Sequence, residues 1–337
     1  MTTHIIGDAL PNMPWQDKPA DYLGALWRDD RNPIIGWNPT AKTARIFNSA
    51  VVSWGDEYIG VFRADHKDGK PLLHIGHSKN AVDWEFVDEE IQFVDESGSE
   101  YQPHYAYDPR VVKIEDTYYV TWCTDFGGPA IGLARTRDFV TFIRMENICT
   151  PYNRNGVLFP RKINNKFVLL TRPSDAGHTS FGDIFISQSP DLEHWGHHRR
   201  LMSTGDTWWQ KLKIGAGAPP IETDEGWLLF YHGVTNTCNG YVYSYGAALL
   251  DLEEPDKVLY RTYNYLLTPE KNYETNGFVQ NVVFPCSALV DAPTGRIAIY
   301  YGAADTYTAM AYAKVDELVA HIKADSALVT GDDTTFR

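Results

Sequence analysis

The sequence predicts an all-β fold, a five-bladed β-propeller, from three observations. One hairpin unit recurs five times, its turns return at intervals long enough for a four-stranded sheet, and three of the units are followed by a similar polar turn. Each unit is an apolar strand, a polar turn and a second, aromatic-rich strand. The copies are Phe47–Val52 with Tyr58–Arg63, Tyr107–Val112 with Tyr118–Trp122, and Phe159–Ile163 with Phe167–Arg172. Two more follow: Ala218–Ile221 with Trp227–His232, and Phe284–Leu289 with Ile297–Gly302. The turns fall near positions 55, 115, 165, 225 and 295, spacings of 60, 50, 60 and 70 residues. Each interval holds a four-stranded sheet, which needs roughly 40–50 residues. A sheet of this kind buries its faces only against neighbouring blades. A two-sheet sandwich also alternates strands and turns, but does not repeat one hairpin five times.

The polar turns are Ser78–Trp84, Thr136–Phe142 and Ser189–Trp195, each with a Ser or Thr, then an Asp, then an aromatic residue. They read as turns leading to outer strands. Residues 1–40 are Pro-rich and read as an irregular N-terminal extension, residues 41–312 as the propeller, and residues 313–337 as a C-terminal helix and tail. The helix is expected from the 3.6-residue periodicity of Val315–Ile322. All 337 residues are expected to form one domain.

Composition narrows the function. Aromatic residues make up 13% of the chain, and 30 Lys and Arg against 44 Asp and Glu give a net charge of −14. Such a chain repels polyphosphate, so nucleic acid and anionic membranes are poor partners. No apolar run approaches the roughly 18 residues that span a bilayer. The opening residues show no basic segment followed by an apolar one, so a cytoplasmic location is expected. Cys123, Cys149, Cys238 and Cys286 are scattered and are expected to be reduced thiols. No metal set is read from the sequence: His194, His197 and His198 sit on an expected outer strand, and Gly215-Ala216-Gly217 lacks any phosphate-loop context.

In a propeller the first strand of each blade lines the central channel, so residues distant in sequence meet there. The corresponding positions are Asn48-Ser49, Asp108, Phe159-Pro160-Arg161, Ala218-Pro219 and Phe284-Pro285, and only Asp108 supplies a carboxylate. Burying an acid is costly without a task or a partner; the structural alternative is an ion pair with Arg110. The second strands end at Arg63-Ala64-Asp65, Arg172, His232 and Gly302–Asp305. Arg154 and Lys213 lie between them. Arg154, Arg172, Lys213 and His232 on one rim would make a cationic cluster suited to a phosphate dianion. The alternative is that each pairs with its own carboxylate.

Phe47–Ala50, Tyr107–Arg110, Asn153–Lys162, Arg172–Asp175, Lys213–Gly217 and Tyr231–Gly233 resemble, in order, motifs of the β-mannoside phosphorylases of glycoside hydrolase family 130. The resemblance runs from about Trp27 to Asp305. It implies a five-bladed propeller and inverting phosphorolysis of β-mannosidic bonds, with Asp108 as general acid acting through the sugar's 3-hydroxyl. It implies that Arg154, Arg172, Lys213, His232 and Tyr243 hold phosphate. It also implies that Asn48, Ser49, Arg63, Asp65, Tyr107 and Asp305 line the mannosyl site. Inorganic phosphate is then a co-substrate, with no cofactor and no metal. β-1,4-Mannooligosaccharides are the expected substrates, ahead of β-1,4-mannosyl-glucose and β-1,2-mannosides. A homo-oligomer, often a hexamer in the family, is expected.

The residues agree with that reading. An inverting hydrolase needs an acid and a base carboxylate to activate water, roughly 6.5–9.5 Å apart. A phosphorylase needs no base, but it does need a cationic cradle for the nucleophile. The alternatives are a propeller hydrolase using Asp108 with Asp65 or Asp305, and a sugar-binding propeller without activity.

Overall fold

Long runs such as Trp227–Tyr231 and Ile297–Tyr301 are apolar at every position, so both faces of the strands they form must be covered. The computed structural model describes residues 2–174 and 182–326. It contains five sheets, antiparallel except where residues 93–94 pair in parallel with 142–143, here blades I to V in the order of their inner strands. The inner strands are Thr43–Trp54 in blade I, Ala106–Ile114 in II, Asn153–Leu158 in III, Lys213–Ala216 continued by Ile221–Thr223 in IV, and Val283–Asp291 in V. Each is followed outward by its hairpin partner: Glu57–His66, Thr117–Asp125, Phe167–Pro173, Gly226–Thr237 and Arg296–Ala303.

Five large hydrophobic clusters fill the five blade interfaces, one apiece. Leu229 and Tyr231 face blade III with Trp227, while Leu228 and Phe230 face blade V. Val120 and Trp122 face blade I, while Ile131 and Leu133 of the same blade face blade III. Ile46 and Phe62 pack against Tyr300 and Tyr312 across the last interface. The period of two along each strand therefore sends alternate residues to different neighbours.

The polar turns form as their sequences suggest. The Thr136 hydroxyl accepts from the Phe139 N–H, and the Asp138 carboxylate accepts from Val140 and Thr141. Ser189 and Asp191 repeat the pattern, and Asn80 does the equivalent work after Ser78. The outer strands Glu85–Glu90, Phe142–Arg144 and Gly196–Met202 follow. Residues 93–94 and 100–101 add two short strands to blade II.

Two parts of the chain differ from their sequence reading. Trp27–Arg28, in the stretch read as lying outside the blades, pairs with Tyr307–Lys314 and is the outer strand of blade V. The last blade thus takes strands from both ends of the chain, which closes the ring. Blade III's inner strand begins at Asn153, earlier than the Phe159 hairpin start suggested. The C-terminal helix, Val315–Asp325, buries Val315, Leu318, Val319 and Ile322 against the blade IV–V cluster.

The closure carries a buried ion pair. Arg28 Nε donates to Glu274 Oε1 at 2.7 Å and Nη2 to Oε2 at 2.9 Å, with Glu274 fully buried. The Tyr301 hydroxyl donates to the same carboxylate at 2.8 Å. Removing one partner of a buried pair leaves an uncompensated charge. Arg28→Ala is expected to destabilise the fold by about 3–5 kcal/mol, seen as a lower midpoint in urea unfolding. Arg28→Ala with Glu274→Gln is expected to recover part of that loss.

Candidate active site

The first strands converge on the axis at the end where they begin, and a repeated irregularity turns their side chains inward. The ladder slips at Phe47/Ser49 in blade I, Tyr107/Arg110 in II, Arg154/Val157 in III and Pro285/Ser287 in V. These are β-bulges, which re-aim side chains at such rims. Asn48, Asp108 and Asn155 sit at the first three with φ of 49°, 53° and 54°. Asn and Asp tolerate this left-handed region better than other side chains, which explains their choice at the bulges. The blade III residue equivalent to Asp108 is therefore Asn155, and not Phe159 or Arg161. Arg161 instead binds Glu222 beside a cavity of about 460 Å³ at the opposite mouth, lined largely by aliphatic and proline side chains.

A cavity of about 340 Å³ at the bulge end is lined from all five blades. It brings together Asn48, Arg63, Tyr107, Asp108, Arg154, Arg172, Lys213, His232, Tyr243 and Asp305 of the residues expected from the sequence. Two expected residues stand back from it. Ser49 is fully buried, with its carbonyl accepting from Ser287 Oγ. Asp65 lies behind Arg63, bonded to Arg63 Nε and Arg45 Nη2 at 2.9 Å each. Asn155, Ser174, Val279, Val282 and Phe284 complete the lining. Asp175, part of the Arg172 motif, lies outside the described residues. Asn155 could have been found from the sequence as a third Asn or Asp at a bulge. Arg45, stacked 3.8 Å over the Phe278 ring, carried no such signal.

One side of the cavity is acidic. Asp108 accepts from Asn48 Nδ2 at 2.7 Å and from Arg63 Nη1 at 3.1 Å, and both bonds fall on Oδ1. Oδ2 receives neither. Arg110 does not pair with the Asp108 carboxylate; its guanidinium donates to the backbone carbonyls of Gly217, Asp108 and Pro109. Arg63 lies over the rings of Phe47 and Tyr107 and joins Asp108 to Asp65. Burial pushes the Asp305 carboxyl up to about 6, against the lowering effect of Arg63. Gly302 makes room for Asn48, whose Oδ1 would lie 1.8 Å from any Cβ there.

The other side is basic. Among the described residues none of Arg154, Arg172 and Lys213 forms a salt bridge, so within them none of the three has a carboxylate of its own. Arg172 is buried, and its Nη1 donates to His232 Nε2 at 2.9 Å. Its Nε and the His232 Nδ1 are buried without a partner among the described residues. Burial, reinforced by Arg154, pushes Arg172 down to about 10. Burial and the two neighbouring guanidinium groups push Lys213 down to about 8. Burial, with Arg172, Lys213 and Arg110 nearby, holds His232 well below its ordinary value, so it is neutral and accepts from Arg172. Gly215 allows this packing, since a Cβ there would sit 2.5 Å from His232 and 2.9 Å from Asn155. Cations crowded together at the cost of their own charge are a site for an anion.

The family profile described as β-1,4-mannooligosaccharide phosphorylase, glycoside hydrolase family 130, matches residues 9–324. This chain belongs to that family. It is 54% identical over 336 residues to the β-1,4-mannooligosaccharide phosphorylase of Ruminococcus albus, covering 97% of this chain and 100% of that one. It is 40% identical over 230 residues to the β-1,2-mannobiose phosphorylase of Listeria innocua, covering 68% and 63% of the two chains. The solved β-1,2-mannobiose phosphorylase from Listeria innocua, in complex with β-1,2-mannobiose, superposes with a TM-score of 0.79 at 29% identity, covering 89% of this chain and 99% of that one. The five-bladed propeller read from the repeats is the fold of this chain.

The basic side sets a pH limit. Lys213 carries its charge below about 8 and loses it above. Affinity for inorganic phosphate, measured by calorimetry, is expected to fall above pH 8, approaching about tenfold per pH unit, the limit for one linked proton. Lys213→Arg keeps its charge and should flatten that limb. A wild-type affinity constant from pH 8 to 9.5 would contradict the assignment.

Proposed function

We propose that the chain catalyses inverting phosphorolysis of β-1,4-mannooligosaccharides, giving α-D-mannose 1-phosphate and a shortened oligosaccharide. The observation that carries this is the basic cluster of Arg154, Arg172 and Lys213, without salt bridges among the described residues, facing Asp108 across one cavity. Phosphate held by the cluster attacks the anomeric carbon, and the bond from that carbon to the glycosidic oxygen breaks. The leaving oxygen takes a proton from Asp108, relayed by the 3-hydroxyl of the mannosyl residue. Asn48 and Arg63 fix Oδ1 of Asp108, so Oδ2 is the oxygen that donates. Tyr107, Arg63 and Asp305 hold the mannosyl unit, with Asp65 orienting Arg63. His232 and Tyr243 pack behind the phosphate.

Support for the β-1,4 linkage is the 54% identity to the Ruminococcus albus enzyme. The 4-O-β-D-mannosyl-D-glucose phosphorylase of Bacteroides fragilis is 27% identical. A hydrolase reading would need a base, for which Asp305 is the candidate, since Asp65 is already held by Arg45 and Arg63.

Incubation with β-1,4-mannobiose should yield mannose 1-phosphate only when phosphate is present; free mannose from the donor residue without phosphate would favour hydrolysis. Asp108→Asn should lower kcat by roughly 10²- to 10⁴-fold, the range for general acid catalysis, with substrate binding little changed. Arg172→Ala should raise the KM for phosphate roughly 10- to 100-fold, the worth of a charge-assisted hydrogen bond. If Asp305→Asn is as damaging as Asp108→Asn and Arg172→Ala leaves phosphate dependence intact, the mechanism is wrong. Initial rates on mannobiose and mannotriose should exceed those on mannosyl-glucose.

A further inference from the structure

Outside the cavity, blade I gathers a second set of chemically active side chains. His66 ends the strand Glu57–His66, His74 lies within Pro71–Ser78, and Glu90 ends Glu85–Glu90 directly across from His74. Their candidate ligand atoms all lie within 4.8 Å of one another. His74 is fully buried, whereas His66 and Glu90 are half-buried, so solvent reaches the group from one side.

The tautomer of His74 is fixed. Its Nδ1 lies 2.9 Å from the Val87 carbonyl, which can only accept, so Nδ1 carries the proton and Nε2 offers a lone pair. That lone pair faces His66 Nε2 at 2.7 Å. A backbone carbonyl holding the far nitrogen of an imidazole is the usual support for a metal-ligating histidine. Asp88, two residues before Glu90 on the same strand, also has a buried Oδ1 with no partner among the described residues.

The geometry points to a site for a single divalent transition ion of the zinc class, bound by His66 Nε2, His74 Nε2 and the Glu90 carboxylate. Two imidazoles and one carboxylate, with the remaining position open to water, is a known donor set for Zn²⁺. Zinc–nitrogen bonds of about 2.0–2.1 Å at a tetrahedral angle set the nitrogens about 3.3 Å apart. His66, at the open end of its strand, has to withdraw by about 0.6 Å from its present hydrogen-bonded position. Its proton moves from Nε2 to the outer Nδ1, so no proton is released. The ion would fasten three strands of blade I together one residue from Asp65, which holds both Arg63 and Arg45. It is a clamp on the strand that presents Arg63, with no part in the reaction.

The test uses the full chain, stripped with a chelator and titrated with Zn²⁺ alone by calorimetry, and with Co²⁺ followed by its visible absorption. One equivalent should bind, and Co²⁺ should show the intense bands of a four- or five-coordinate site. Zn²⁺ at about 100 times its Kd should raise the Tm by roughly 5 °C. His66→Gln and Glu90→Gln should each weaken binding at least about 10- to 100-fold, while His194→Ala, in the exposed turn before the outer strand of blade III, should change nothing. Circular dichroism checks that the variants fold. Wild-type protein that binds no equivalent, or a His66→Gln/Glu90→Gln double variant that binds as wild type does, would overturn the site and leave a hydrogen-bonded histidine pair.

Discussion

Closure of the ring is the constraint on which everything else rests. No blade has a face it can leave to water: the residues of one strand alternate between the clusters on its two sides. A blade without a neighbour exposes a complete apolar face, and the first and last blades are neighbours only because the ring closes. The two-residue strand Trp27–Arg28 performs that closure, held by a buried carboxylate from the short helix Asn272–Thr275, 246 positions away. The cavity inherits this dependence. Asn48, Asp108, Arg154, Lys213 and Asp305 belong to five different blades, and only the closed ring puts them around one cavity.

Within the cavity the charges are sorted. Asp65, Asp108 and Asp305 surround Arg63 on one side, while Arg154, Arg172 and Lys213 gather on the other. The acidic side is internally compensated, each of Asp65 and Asp108 having at least one guanidinium bond. The basic side has no such bond among the described residues, and burial, reinforced by the neighbouring guanidinium groups, depresses Arg172 and Lys213. Such an arrangement costs stability, and it is the form that electrostatic preorganisation takes when the missing charge belongs to a substrate.

Much of this was legible in the sequence, for identifiable reasons. The hairpins announce themselves because strands buried on both faces are apolar throughout, and the Ser/Thr–Asp turns because their side chains must cap fixed N–H groups. Arg172 and His232 could be placed because the second strands end at the cavity. The blade III register could not, because a bulge adds a residue without changing composition. Thus Phe159 looked like a strand start when Asn155 is the residue at the rim. Trp27–Arg28 is too short to show a period, and the buried Arg28–Glu274 pair leaves no local trace. Ser49 and Asp65 look like lining residues from position alone. The bulge at Asn48 turns Ser49 into the blade, and Arg63 covers Asp65.

The roles of the four basic residues also separate only in three dimensions. As a set in the sequence, Arg154, Arg172, Lys213 and His232 count as equivalent cations. In the fold His232 is uncharged and its Nε2 accepts from Arg172, so it directs a guanidinium and adds no charge. The Arg172 guanidinium is fixed on one edge by the imidazole, which turns a flexible side chain into an aimed one. Arg154 is tethered in a similar way, its Nε 3.3 Å from the Tyr107 hydroxyl, which links the basic side to the residue beside Asp108. Lys213 is different: its ammonium lies over the rings of Tyr241 and Tyr243. An ammonium is a point charge that forgives geometry, so it suits a nucleophile whose oxygens must move toward carbon during the reaction. In the proposed reaction the two arginines set the position of the anion, and the lysine follows it.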